Sequence, residues 1–204
     1  AGIMAGSGNL DPQAQGMASG SDLYVSRYSA DFIEMNNLHF NQGVVITNSS
    51  YSDGCNDGYT FTTETVEFQT LSSTGQTLLH IFSAGNSGNS DCGYGAGARW
   101  GNITGGHKIA KNAIATANLD TDGSLMASSS RGPASVGRIK PDLAANGNNH
   151  LSTSPGNAYS PFGGTSGAAP GVAGVATQLY HAYRELNADT LPKSGLIKAV
   201  MLNS

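Results

Sequence analysis

The stretch GGTSGAAPGVAG, residues 163–174, sets the reading of the whole chain. It places one hydroxyl, Ser166, among very small residues, at the head of a segment that runs on to Leu186. In that segment Val172, Val175, Ala176, Leu179, Tyr183 and Leu186 recur at three- and four-residue steps, the apolar stripe of an amphipathic helix. Pro170 fits a helix only near its first turn, where a missing N–H does least harm, so the helix begins close to Thr165 and Ser166 falls at its N-terminus. There the backbone N–H groups and the helix dipole favour developing negative charge. Gly171 and Gly174 each cost about 1 kcal/mol in a helix interior, which predicts close packing of this helix backbone against a sheet. By itself a serine in this position is a packing residue or an N-cap. Its meaning depends on what the rest of the chain supplies.

Working outward, short apolar runs alternate with helical stretches. DLYVSRY (22–28) reads as a strand, ADFIEMNNLHFNQ (30–42) as a helix, and GVVITNSS (43–50) as a buried strand. TFTTETVEFQTLSST (60–74) reads as a helix, LLHIFSAG (78–85) and NAIATANL (112–119) as buried strands, and LPKSGLIKAVMLNS (191–204) as a last helix. This order predicts an α/β fold, a parallel β-sheet sandwiched by helices. In such sheets ligands gather beyond the carboxyl ends of the strands, which draws attention to Asn48–Tyr51 and Ser83–Gly88. The long Gly-rich stretch between Asn86 and Asn112, which carries the only tryptophan, Trp100, reads either as a functional loop or as a surface excursion. No internal repeat or linker interrupts the chain, so residues 1–204 are expected to form one domain.

The bulk composition narrows the partners. The net charge is −4, which argues against nucleic acid or another polyanion. Charged residues are only 12% and there are 28 glycines, a composition that suits a secreted, loop-rich protein. No apolar run approaches the roughly 20 residues of a membrane helix. The two cysteines, Cys55 and Cys92, sit in the polar loops SDGCNDG and NSDCGYG. They are either two free thiols or a pair; loop placement in a secreted chain favours pairing, and two cysteines without a nearby pair of histidines do not make a metal site.

Several segments together resemble the subtilisin-like serine proteases. GTSGAAPGVAG is similar to the family's nucleophile motif GTSMAAPHVAG. SSRGP (129–133) followed by GRIKPDLAANG (137–147) resembles the stretch that precedes it, and FSAGNSG (82–88) resembles the family's A-A-G-N-x-G segment. GMASGSDLYVSRY (16–28) and VVITNSS (44–50) are similar to two further segments, all in the family's order. The resemblance implies that Ser166 is a nucleophile that attacks a peptide carbonyl, with Asn86 and the Ser166 N–H as oxyanion donors. It also implies a substrate cleft walled by Ser49, Ser50 and Tyr51 on one side and by Ser83, Ala84 and Gly85 on the other, pairing with an extended polypeptide substrate. No charged residue lies in these walls, so the expected preference at the substrate residue before the cleaved bond is neutral, apolar or aromatic. A Cys55–Cys92 bridge would tie together the loops that follow the two walls.

The same resemblance predicts what the chain lacks. The family's base is a histidine and its orienter an aspartate, both in motifs that precede this region. AGIMAG resembles the residues just after that histidine, so the chain reads as a partial catalytic domain, truncated on its N-terminal side. The missing N-terminal part is then an expected partner, and residues 1–204 alone are expected to have little or no peptidase activity. The alternatives are an inactive, peptide-binding relative, or a substitute base such as His107 or His150. His39 and His181 fall in helices, and His80 falls within a buried strand. Gly167 stands where the family has methionine and Gly171 where it often has histidine. The chemistry requires no cofactor. Calcium has no clear site: the loop GSGNLDPQAQG around Asp11 is short for the family's calcium loop, and Asp53 and Asp57 read as turn residues.

Overall fold

The computed structural model describes residues 1–55, 58–93, 95–134 and 137–204, with only the backbone of Asp31. The elements run α1 (Gly2–Ala5), α2 (Asp31–Gln42), β1 (Ile46–Ser49), α3 (Phe61–Phe68), β2 (Leu79–Ser83), β3 (Ile114–Leu119), β4 (Leu143–Asn146), β5 (His150–Ser154), β6 (Ala158–Phe162), α4 (Thr165–Leu186) and α5 (Ser194–Leu202). Strands β1 to β4 form a parallel sheet in the order β1-β2-β3-β4, and β5 and β6 form a separate antiparallel hairpin. The predicted α/β architecture is therefore present. No helix among the described residues is long and apolar enough to cross a membrane.

Strand β2 shows how the layers are built. All five of its residues are buried, so both faces of the sheet are covered at this strand. Successive side chains point to opposite faces. Leu79 and Ile81 pack with Ile114 against Ala169, Val172, Ala173, Ala176 and Tyr180 of α4. Phe82 packs with Val66 of α3 and Phe32 of α2, and His80 and Phe82 both meet the Phe32 ring at 6.3 Å. Helix α4 thus covers one face, and α2 and α3 the other.

Helix α4 spans the residues its pattern predicts, but its buried face is rotated from the expected stripe. Ala169, Val172, Ala173, Ala176 and Tyr180 are buried, whereas Leu186 is 84% exposed. Alanines bring the helix close to the sheet, so the contact face follows small size as well as hydrophobicity. Pro170 lies in the second turn, deeper than expected. The N–H it lacks is the one that would have reached the Ser166 carbonyl. The two helix glycines also differ from expectation. A Cβ on Gly174 would lie 2.4 Å from Met17 Cβ, so this glycine admits the loop around Met17 and not the sheet. Gly171 faces open space.

Three further differences stand out. Residues 22–28 form no strand: no strand among the described residues pairs with them, Tyr28 begins a 3₁₀ turn, and Val25 is 85% exposed. Residues 101–110, the second half of the Gly-rich stretch, are all buried and include a 3₁₀ turn, Gly106–Ile109, so this segment is no surface excursion. The helix expected over 60–74 is α3 followed by a π-helical turn, Gln69–Ser73. Its start is fixed by a capping box, in which the Thr63 N–H donates to Thr60 Oγ1 at 3.4 Å and the Thr60 N–H donates to Thr63 Oγ1 at 3.0 Å.

The two helix glycines are expected to respond in opposite directions. Gly174→Ala should lower the unfolding free energy by about 1–3 kcal/mol through overpacking on Met17. Gly171→Ala should raise it by about 0.5–1 kcal/mol through helix propensity. Denaturant titration of both variants checks the pair.

Candidate active site

Strands β1 and β2 are parallel neighbours, with Ser49 opposite Phe82, so the chain leaves both strands at the same end of the sheet. Ser49–Ser50–Tyr51 and Ser83–Ala84–Gly85 therefore run out together as two walls. Ser49, Ser83, Ala84 and Gly85 are buried, and Ser50 and Tyr51 are half-buried. Gly85 has φ +115°, and a Cβ there would sit 2.2 Å from Thr104 Oγ1. Both its conformation and its neighbour call for glycine.

The N-terminus of α4 meets the end of the second wall through Thr165 and Asn86. The Thr165 N–H donates to Asn86 Oδ1 at 3.0 Å, and the Thr165 hydroxyl donates to the same oxygen at 3.1 Å. The Gly85 N–H in turn donates to Thr165 Oγ1 at 3.1 Å. A backbone N–H is only a donor, so the amide atom facing it must be the oxygen, and this fixes the orientation of the Asn86 side chain. The NH₂ end of Asn86 accordingly points away from Thr165, and Asn86 is exposed. Gly164 has φ +79°, and a Cβ on it would come within 3.0 Å of the same amide. Next in the chain, the half-buried Ser166 donates its hydroxyl to the Ser50 carbonyl at 3.3 Å. The structure thus brings Ser166, Asn86 and both walls to one place.

The motifs around this centre hold its frame. The Ser130 N–H donates to the Gly85 carbonyl at 2.8 Å and its hydroxyl accepts from the Ser87 N–H at 3.0 Å. The Ser129 hydroxyl accepts from the Asn118 N–H at 3.0 Å. In the K-P-D segment, Asp142 bridges Lys140 at 2.6 Å and Lys198 of α5 at 2.7 Å, and accepts the Ala115 N–H at 2.8 Å. That cluster ties α5 to the strands β3 and β4. Gly167 lies tight on the loop after β4, since a Cβ there would be 2.9 Å from the Gly147 carbonyl oxygen.

A cavity of about 250 Å³ opens beside Ser166, bounded by Gly2 and Ile3 of α1, Asn48 and Ser50, and Ser160 and Phe162 of β6. None of the five histidines lines it. His39 donates to the Val44 carbonyl at 2.7 Å, His80 meets the Thr47 hydroxyl at 2.7 Å, and His150, which opens β5, donates to the Asn146 carbonyl at 2.7 Å. His181 is exposed beside Glu185. His107 is buried and stacks on the Tyr51 ring at 4.9 Å between centroids.

Behind the walls lies a floor that the sequence reading missed. Thr104 spans both sides: its N–H donates to the Ala84 carbonyl at 3.1 Å, and its hydroxyl pairs with Ser52 Oγ at 2.9 Å. Lys108, fully buried, donates from Nζ to Thr104 Oγ1 at 2.8 Å and reaches Ser83 Oγ at 3.5 Å. Burial pushes the Lys108 ammonium down to about 7, with the Asp53 carboxylate acting in the opposite sense. Burial, then the charge of Lys108 and that of His80, pushes His107 down to about 3. Burial alone pushes His80 down to about 3. The only signal for this floor was GGHK, residues 105–108, a charged pair after two glycines inside an otherwise unassigned loop.

Cys55 and Cys92 form a disulfide with Cα atoms 5.7 Å apart, joining the chain beyond the two walls. Asp11 caps its own 3₁₀ turn by accepting the Gln13 N–H at 2.9 Å. Asp53 is exposed, and Asp57 lies outside the described residues. Among the described residues no three His, Cys, Asp or Glu side chains gather as metal ligands.

Comparison with known proteins adds the following. The model of the Subtilase family matches residues 1–204. No curated protein matches the chain. Among solved structures, the self-cleaved protease domain of PatA is 20% identical with a TM-score of 0.62, over 83% of this chain and 57% of that one. The prenylagaramide maturation protease PagA is 18% identical with a TM-score of 0.62, over 89% and 59%. The Clostridium perfringens CspB protease is 16% identical with a TM-score of 0.78, over 97% and 72%. At these identities the likeness is one of fold, and the chain spans under three-fifths of the first two structures.

Two stability tests probe this frame. Replacing both cysteines by alanine should cost about 4 kcal/mol, the loop-closure value for the 37-residue separation, read by denaturant titration. His80 and His107 are held neutral when folded and take up protons near pH 6.5 when unfolded. Their contribution is therefore complete above pH 6.5 and is lost as pH falls from 6.5 toward 3, by up to about 1.4 kcal/mol per pH unit for each. A His80→Gln variant should show a shallower acid limb in a plot of stability against pH.

Proposed function

The chain belongs to the subtilase family, and from that membership we propose that residues 1–204 are the larger part of the catalytic domain of a secreted serine endopeptidase. Ser166 is the nucleophile. Its hydroxyl attacks the carbonyl carbon of a peptide bond, and the oxygen that gains charge is met by Asn86 Nδ2 and the Ser166 N–H. The general base takes the hydroxyl proton and passes it to the amine nitrogen; collapse then expels the amine and leaves an acyl-enzyme on Ser166, which water hydrolyses. The polypeptide substrate lies extended between Ser49–Tyr51 and Ser83–Gly85. The observation that carries this reading is the clamp on Asn86. With its oxygen held by Thr165, its two amide hydrogens are the end left for an oxyanion, three residues past the parallel strand β2 and beside the first turn of α4.

The general base is a histidine supplied from outside residues 1–204. The cavity beside Ser166 has a polar rim and room for an imidazole, while the chain's own five histidines are engaged elsewhere. The disulfide favours an oxidising, extracellular setting. The second reading, a peptide-binding relative without activity, draws on the same lack of a histidine at the cavity.

A fluorophosphonate probe separates these cases. Labelling is expected at Ser166, absent in Ser166→Ala, weak for residues 1–204 alone and strong once a segment carrying the histidine is supplied. No labelling in either state supports the binding module. Strong labelling of residues 1–204 alone overturns the external base and turns attention to His107. In the active assembly Asn86→Ala should lower kcat about 10²–10³-fold, the figure this family itself supplies for such a donor, with little change in KM.

A further inference from the structure

Behind the two walls lies a fully buried lysine. Thr104 joins the two walls by bonding to Ala84 on one side and to Ser52 on the other, and the Lys108 ammonium bonds to Thr104 and reaches Ser83. An ammonium has three donors. Lys108 uses one well, on Thr104 Oγ1 at 2.8 Å, and a second at the 3.5 Å limit, on Ser83 Oγ. No carboxylate among the described residues lies within ion-pair distance of it, although the buried Lys140 has Asp142 at 2.6 Å. A buried charge without a counter-ion is costly, and removing one partner of a buried pair is known to destabilise strongly. Lys108 therefore has the character of half of an ion pair, placed behind the wall that a substrate side chain would touch. The neighbouring His107, also buried, has no hydrogen-bond partner for Nε2 among the described residues.

In place of the neutral preference expected from the wall residues alone, we propose that Lys108 is the specificity-determining residue of the slot between the walls and that it selects a substrate residue with a side-chain carboxylate, Asp or Glu, before the cleaved bond. The proposal rests on the reading of the walls as a substrate cleft. The incoming carboxylate takes the free donor of Lys108 and supplies the missing counter-charge. The Tyr51 ring, half-buried and stacked on His107, is the cover that an entering side chain meets first.

The test is equilibrium binding of acetylated tetrapeptide acids that differ only in the last residue: Asp, Glu, Asn, Gln or Phe. Each places the same α-carboxylate at Ser166, so differences report the slot. At pH 6 the Asp or Glu peptide should bind about tenfold or more tighter than its amide counterpart, as charge-assisted bonds exceed neutral ones. The ratio should shrink toward one between pH 7 and pH 9 as Lys108 loses its proton, later with peptide bound because the carboxylate holds that proton. Over this range the peptide carboxylates keep their charge and His107 stays neutral. In Lys108→Met the ratio should fall to about one. If that variant does not fold, the pH series on the unaltered protein decides. Equal binding of acid and amide peptides at pH 6, tighter binding of the Phe peptide, or an acid preference that persists in Lys108→Met overturns the proposal and leaves the cleft standing. Failure of every peptide to bind overturns the cleft itself.

Discussion

One oxygen atom organises the functional end of this sheet. Asn86 Oδ1 accepts both donors of Thr165, and through them the residue that follows one wall and the first turn of α4 share a single geometry. Thr165 passes the constraint back to Gly85, whose carbonyl is held by Ser130. Gly164 lets the helix start that close to the amide. Small residues cluster in this region because backbone, amide and helix must meet with no side chain between them. The resemblance of GGTSGAAPGVAG to a nucleophile motif and the close packing of the same stretch have one physical origin.

The two sides of Ser166 are built differently. Behind the walls lie Thr104, His107 and Lys108, in a segment buried along its length. Toward α1 and β6 a cavity remains. In the proposed reaction the wall side would take the substrate and the hollow side the base.

Much of this was legible in the sequence because strongly periodic or strongly apolar segments have few alternative structures. The runs 43–50, 78–85 and 112–119 and the long helix after Thr165 formed where expected. Strand β4 was not visible, since LAAN is short and rich in alanine, a residue with little strand preference. The hairpin β5–β6 was hidden by Pro155, Gly156 and Pro161, which read as punctuation, although Pro161 is tolerated in a two-stranded edge. Residues 22–28 had strand-like residues but no paired neighbour among the described residues, and pairing cannot be read from one segment. The site divided along the same line. Ser166 and Asn86 carried motifs, whereas Lys108 became notable only through burial and its lack of a carboxylate, properties of the folded chain.

The link between Asn86 and Thr165 spans 79 residues of sequence. Contacts of such range form late, because loop closure must precede the bonds that reward it. In a chain made from its N-terminus, β1, β2 and the loop after them can be complete while the proposed oxyanion donor is still unaimed. Its orientation waits for residues beyond 163 to be synthesised and docked. Ser166 and the proposed donor therefore come together only late in synthesis, after the strands that carry both walls have been made.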